Sequence, residues 1–205
     1  MQFHRLSLAL TSATLFLALS GCSGVAAGAH QAVPAQPANG AADHGGDVSD
    51  AAAELGDLGP DDGYIAAGER VALSDDVPAV ANLDPALREA LQASADAAAA
   101  AGRDAQFTLV DGWRSARYQQ YLFDQAVAEY GSADQAAKWV KSPTESKHVQ
   151  GEAVDLATAD AMDWLNRFGG EFGLCQIYAN EPWHFELAAD ASGTCPPQLE
   201  DGSAG

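Results

Sequence analysis

Two histidines, an aspartate and a glutamate in the second half of the chain are the residues best suited to chemistry. His148, Asp155 and His184 are the ligand types that a catalytic zinc takes: two imidazoles and one carboxylate, with a fourth position left to water. Asp155 lies inside the apolar run Ala153-Val-Asp-Leu-Ala157, where a bare carboxylate is costly to bury and a metal would relieve that cost. Glu181 stands three residues before His184, and Pro182 between them excludes a regular helix. A carboxylate beside a zinc-bound water is what a general base in metal-assisted hydrolysis must be. Each piece also has a plainer reading. A His–Asp spacing fits a hydrogen-bonded structural pair, Glu181 and His184 fit a loop pair, and Arg114 can simply balance a charge. Spacing alone therefore leaves two readings open: a zinc hydrolase, and a sheet protein with buried polar pairs.

These residues need elements to hold them. Asp84 before Pro85 is a helix start, and Leu87, Leu91 and the following alanines keep helical spacing up to Ala101, where Gly102 stops it. Phe107 to Val110 reads as a strand ending at Asp111-Gly112. A second helix is expected from Ser115 to Tyr130, with Tyr118, Leu122, Phe123, Ala126 and Val127 on its apolar face. Ser132 caps a short helix through Trp139 and Val140, and Pro143 opens an irregular stretch up to His148. Ala153 to Ala157 reads as a strand, Ala161 to Phe168 as a helix, and Gln176 to Ala179 and Trp183 to Leu187 as closing strands. Helices early and strands late predict an α+β fold with an antiparallel sheet. All four tryptophans lie in the second half, which places the expected core there.

The 205 residues suit one domain with a tail. With 29 acidic and 10 basic residues the net charge is −19, which repels phosphate backbones and anionic lipid, so nucleic acid is excluded as a partner. Residues 1–21 read as a signal peptide: His4 and Arg5 precede an apolar run from Leu6 to Leu19, too short to span a bilayer. Leu19-Ser20-Gly21-Cys22 resembles the lipobox of bacterial lipoproteins, in which the cysteine is lipid-modified. The plainer alternative is an ordinary cleaved signal with a chance cysteine. On the lipobox reading the protein is exported and extracytoplasmic, and Cys22 anchors it to the membrane by lipid alone. Residues 22–62, rich in Ala, Gly, Pro and Asp, read as a flexible spacer, with the domain over 63–200 and a tail over 201–205. Cys175 and Cys195, without a CxxC spacing, read as one disulfide in an oxidising compartment.

Three ordered motifs carry a family resemblance. Ser146-x-His148-x-x-Gly151-x-Ala153-x-Asp155, followed by Glu181-Pro-Trp-His184-Phe, resembles the signature of the VanY-like D-alanyl-D-alanine carboxypeptidases. Those are zinc peptidases of the Hedgehog/DD-peptidase fold, with helices packed on a small antiparallel sheet that carries the zinc site. Gly112-Trp113-Arg114-Ser115 with Gln119 is similar to the family's Gly-Tyr-Arg-Ser and following Gln, with Trp113 in place of Tyr. The resemblance covers roughly residues 80 to 190. It implies one Zn²⁺ per chain on His148, Asp155 and His184, Glu181 as base, and Arg114 polarising the scissile carbonyl or holding substrate. It also implies that Gln119, Ser146 and Trp183 contact substrate, a peptidoglycan stem peptide losing its C-terminal D-Ala; separately, the protein is expected to be a monomer. The alternatives are an L,D-carboxypeptidase or endopeptidase on peptidoglycan, and a cell-wall binding module without turnover.

Overall fold

A computed structural model of the chain describes residues 56–204. The signal segment, Cys22 and most of the expected spacer lie outside the described residues. Five strands form one sheet: β1 (Val71–Ala72), β2 (Thr108–Asp111), β3 (Ala153–Leu156), β4 (Leu174–Gln176) and β5 (His184–Leu187). Their order is β1-β2-β3-β5-β4, and every neighbouring pair is antiparallel. The helices are α1 (Pro78–Ala81), α2 (Pro85–Ala100), α3 (Ala116–Tyr130), α4 (Ala133–Ala136), α5 (Lys147–Gln150) and α6 (Ala159–Phe168). The fold is α+β, with helices packed on an antiparallel sheet.

α2 begins where its cap requires. The Asp84 carboxylate accepts from the backbone N–H groups of Ala86 (2.8 Å) and Leu87 (3.2 Å), and Pro85 needs no such partner. Its buried face, Leu87, Leu91, Ser94 and Ala98, packs with Trp164 and Leu165 of α6 against Val154, Leu156 and Phe185 of the sheet. Ser94 is tolerated there because it accepts from the Trp164 indole N–H at 3.2 Å. The core thus also draws on the first half of the chain, through Val80, Leu83, Leu87 and Leu91, and is not confined to the tryptophan-rich half.

Several expected elements shift for identifiable reasons. In α3 the polar Gln119 takes a buried position, while Leu122, Phe123 and Val127 are only half-buried. α4 stops at Ala136 and continues as a turn to Val140. Pro143 to Ser146 are irregular as expected, and only Lys147–Gln150, running through His148, form the single turn α5. β4 starts at Leu174, directly after the left-handed Gly173. Ile177 to Ala179 leave the sheet and bond instead to Leu199, whose N–H donates to the Ile177 carbonyl while its own carbonyl accepts from Ala179.

Both ends of the domain reach further than composition suggests. Gly202 is buried and donates its N–H to the Lys138 carbonyl at 3.2 Å, so the last residues are packed. The Cys175–Cys195 disulfide is formed, with Cα atoms 5.6 Å apart, and ties β4 to the segment after β5. At the other end the turn Pro60–Asp62 docks on α3, with Asp62 buried inside the stretch read as spacer. Asp62 accepts from Arg117 Nε and Nη2 (2.6 Å each) and from Ser115 Oγ (2.7 Å). The Arg117 hydrogen bonds, with Ser115 and the Gly59 N–H, outweigh burial and hold the Asp62 carboxyl at about 2 instead of 3.8.

A carboxyl whose pKa is lowered by folding contributes stability above its unfolded value and loses it as pH falls through the folded one. Asp62→Asn should therefore cost on the order of 2 kcal/mol at neutral pH. Thermal melts across pH should show the gap to wild type closing between 3.8 and about 2. A gap that is unchanged at the acid end would show that the Asp62 charge does not pin this turn.

Candidate metal centre

Strand register builds the site. Asp111 on β2 aligns with Asp155 on β3, and Asp155 aligns with His184 on β5. Directly opposed residues share a face, so the three side chains form a row across the sheet. Alternation along β3 sends Val154 and Leu156 into the helix-covered core and Asp155 to the opposite face. Without an irregularity, β2 would pair Leu109 with Leu156 and then turn Asp111 toward the core side. A register shift between Leu109 and Asp111 re-aims Asp111 into the polar row.

His148 arrives from α5. Gly151 closes that turn at φ +76°, a conformation costly for other residues, and a side chain there would press on the backbone of Asn82 and Asp84. Two reciprocal bonds lock α5 to the start of α3. His148 Nδ1 lies 2.8 Å from the Gly112 carbonyl, and the Arg114 N–H donates to the His148 carbonyl at 3.2 Å. Because a carbonyl only accepts, Nδ1 carries the proton and Nε2 turns a lone pair inward.

Three donor atoms meet there. His148 Nε2 is 3.3 Å from His184 Nδ1 and 3.5 Å from Asp155 Oδ1, and His184 Nδ1 is 3.2 Å from Asp155 Oδ1. A tetrahedral zinc with bonds of about 2.0–2.1 Å needs ligand atoms ~3.3–3.4 Å apart, which these edges match. All three residues are buried. Their electrostatics favour a cation. Burial alone would lower His184, but its hydrogen bonds to Asp155 and Glu186 outweigh that and raise it to about 10. Burial alone would raise Asp155, but both histidines hold it far below the usual carboxylate range. The donor set fits a metal ion.

Glu181 sits on the β4–β5 connection, its Oε2 3.8 Å from His184 Nδ1. Burial, the largest influence, pushes its carboxyl up to about 7; His184 and Arg114 pull it down, while Asp155 and Glu186 add to the rise. Arg114 is buried with Nε 2.9 Å from Asp111 Oδ1, an ion pair off the hydrogen-bond line, and Nη2 3.4 Å from Asp155 Oδ2. Burial opposes its charge, yet Asp111 and Asp155 raise its pKa above the ordinary arginine value. Gln119 accepts from Arg114 Nη1 at 3.0 Å and donates to the Lys141 carbonyl at 2.8 Å. Both ends of its amide are engaged, so it braces Arg114. Ser146 precedes α5 and Trp183 precedes His184, and both are buried. Tyr178 lays its ring 5.2 Å from the His184 ring.

Two members of the site escaped the sequence reading. Asp111 looked like a strand terminator, and only the register shift reveals where it points. Glu186 accepts from His184 Nε2 at 2.8 Å; its signal was the polar–apolar–polar alternation His184-Phe185-Glu186 on β5.

A family model described as VanY: D-alanyl-D-alanine carboxypeptidase matches residues 81–190, more than half of the chain. The chain belongs to the VanY family. A D-alanyl-D-alanine carboxypeptidase of Enterococcus faecalis is 30% identical over 122 residues, which cover 46% of this chain and 45% of that relative. The match therefore spans less than half of the relative's length. A VanY D,D-pentapeptidase point mutant from a VanB-type vancomycin resistance cassette, solved with Zn(II), is 28% identical. It covers 60% of this chain and 81% of its own, with a TM-score of 0.48. The LdcB LD-carboxypeptidase structure is 23% identical over 67% of this chain and 73% of its own, with a TM-score of 0.50, and shares the fold.

In this VanY-family site the buried Arg114 depends on Asp111 for charge balance. Removing one partner of a buried pair leaves the other uncompensated. Asp111→Ala should lower the unfolding free energy by roughly 3 kcal/mol in denaturant titrations. A loss below about 0.5 kcal/mol, the size of an ordinary surface substitution, would show that the pair contributes little.

Proposed function

We propose that this VanY-family chain is a zinc-dependent D-alanyl-D-alanine carboxypeptidase that removes the C-terminal D-Ala from peptidoglycan stem peptides. The observation that carries the reading is the triangle of His148 Nε2, Asp155 Oδ1 and His184 Nδ1, with edges of 3.2–3.5 Å. Those three residues would hold one Zn²⁺. Bound there, zinc supplies Lewis acidity, which lowers the pKa of water and polarises a carbonyl. Glu181 accepts a proton from the attacking water at its carboxylate as the water oxygen bonds to the scissile carbonyl carbon. Arg114 directs N–H donors at the charge growing on the carbonyl oxygen. As the C–N bond breaks, Glu181 returns the proton to the leaving D-Ala nitrogen. Ser146 and Trp183, buried next to His148 and His184 in the chain, would contact substrate, while Gln119 keeps the guanidinium aimed.

The deciding assay incubates the protein with pentapeptide and tetrapeptide stems, with and without a chelator, and reads products by mass spectrometry. Loss of one D-Ala from the pentapeptide, abolished by the chelator, is expected. Trimming of the tetrapeptide instead makes it an L,D-carboxypeptidase, internal cleavage an endopeptidase, and zinc without turnover a wall-binding module. Glu181→Gln should keep zinc while kcat/KM falls on the order of 10²–10⁴-fold, because the amide cannot take the proton. His184→Ala should lose the metal, since two protein ligands hold zinc poorly.

We also propose that the protein is exported and held at the membrane by lipid on Cys22. The support is the apolar run ending in Leu19-Ser20-Gly21-Cys22; among the described residues no helix is long and apolar enough to cross a membrane. Cys22→Ala should leave the membrane fraction or accumulate as unprocessed precursor. Unchanged fractionation and mass would make the motif a coincidence.

A further inference from the structure

We propose that Glu186 is a positioning residue for the metal centre: its carboxylate takes the His184 Nε2 proton and so fixes Nδ1 as the nitrogen that faces the metal. The inference rests on the zinc reading above but not on the substrate.

The argument begins with the strand. His184 and Glu186 are two residues apart on β5, so their side chains leave the same face of the sheet, while Phe185 between them is fully buried in the core on the other side. β5 lies between β3 and β4, with Glu186 opposite Ala153 on one side and Cys175 on the other. Its position is therefore set by pairing on both flanks, and the disulfide from Cys175 secures the outer one. The Glu186 side chain is only 12% exposed and its Oε1 lies 2.8 Å from His184 Nε2.

A neutral imidazole carries its proton on one nitrogen and a lone pair on the other. A carboxylate can only accept, so the Glu186 contact keeps the proton on Nε2 and leaves the lone pair on Nδ1. That is the nitrogen 3.3 Å from His148 Nε2 and 3.2 Å from Asp155 Oδ1. The contact also fixes ring rotation, because turning the imidazole over would break it. His148 is oriented in the same manner by the Gly112 carbonyl, a backbone group that mutation cannot remove. Glu186 performs that role for His184 with a side chain, which makes it accessible to experiment. Acceptors behind metal-bound histidines typically govern 10–100-fold in metal affinity.

The test measures zinc dissociation constants by chelator competition on the full-length chain and its Glu186→Ala, Glu186→Met and Glu186→Gln variants. Cobalt-substituted absorption spectra are recorded in parallel. Alanine and methionine, which offer no comparable acceptor, should weaken zinc 10–100-fold and alter the cobalt spectrum. Glutamine keeps an acceptor oxygen without the charge and should recover most of the affinity and the wild-type spectrum. Methionine is close to glutamate in size, so it carries the test if the alanine variant fails to fold. Alanine or methionine binding zinc as tightly as wild type would overturn the proposal. Glutamine as weak as methionine would overturn it too, because the effect would then come from charge and not from the acceptor. Wild-type protein that takes up no zinc sinks both this inference and the metal reading. Wild-type protein that binds zinc but leaves stem peptides intact removes the substrate assignment alone.

Discussion

Asp155 is a carboxylate placed in the middle of a sheet, and the surrounding structure is organised around keeping it charged there. A bare carboxylate removed from water costs several kcal/mol or neutralises itself. Here the Arg114 guanidinium lies 3.4 Å from Oδ2, and the ring nitrogens of His148 and His184, 3.5 and 3.2 Å from Oδ1, compensate it when a proton or a metal ion sits between them. Those partners come from α5, β5 and the loop before α3, so compensating one charge forces three distant stretches of chain together. Arg114 in turn is buried and needs Asp111, which needs the register shift in β2 to face it. Each member is acceptable inside the protein only because the others are present.

The framework that holds this cluster is built mainly from backbone. The loop preceding α3 is clamped by Trp113 donating to Ala79, by Arg114 donating to His148, and by the buried Asp62 carbonyl accepting from Ser115. Gly112 passes so near the Ala79 carbonyl that a side chain there would collide with it. On the other flank, the connection carrying Glu181 is fastened by the Leu199 backbone bonds and by Asn180 donating to the Lys138 carbonyl at 3.0 Å. The two ends of the described segment serve as clamps: residues before Tyr64 hold the arginine side and residues after Cys195 hold the glutamate side.

Much of this was legible in the sequence because the signals are local. Asp84-Pro85 and Gly102 bound α2 by their own capping chemistry, and the three ordered motifs brought His148, Asp155, Glu181, His184 and Arg114 into one expected cluster. The parts that were not legible depend on pairing across the sheet. Nothing near Asp111 announces the irregularity that turns it toward Arg114. Gln119 lies in the helical stretch of α3 and looked like a substrate contact until its amide was found spent on Arg114 and Lys141. Asp62 looked like spacer because its neighbours are Pro, Asp and Gly; its reason to be ordered, Arg117, is 55 residues away. Composition describes what a segment can bury by itself, not what another segment will bury against it.

The charge arrangement also explains why the site should hold a cation. Asp111, Asp155, Glu181 and Glu186 place four carboxylates around one guanidinium and two imidazoles. Counted with ionised acids and with both histidines in the neutral form that ligates a metal, the cluster is three negative charges in excess, within a chain that is itself at −19. Such a site repels any peptide ending in a free carboxylate, which is what the proposed substrate presents. Arg114 cannot relieve this alone, because its charge is already matched by Asp111 and Asp155 at 2.9 and 3.4 Å. His148, Asp155 and His184 would hold a divalent ion, which would offset two of the three excess charges. The surplus of buried acid that looks like a liability for binding an anionic peptide is thus what would make the site take a metal first.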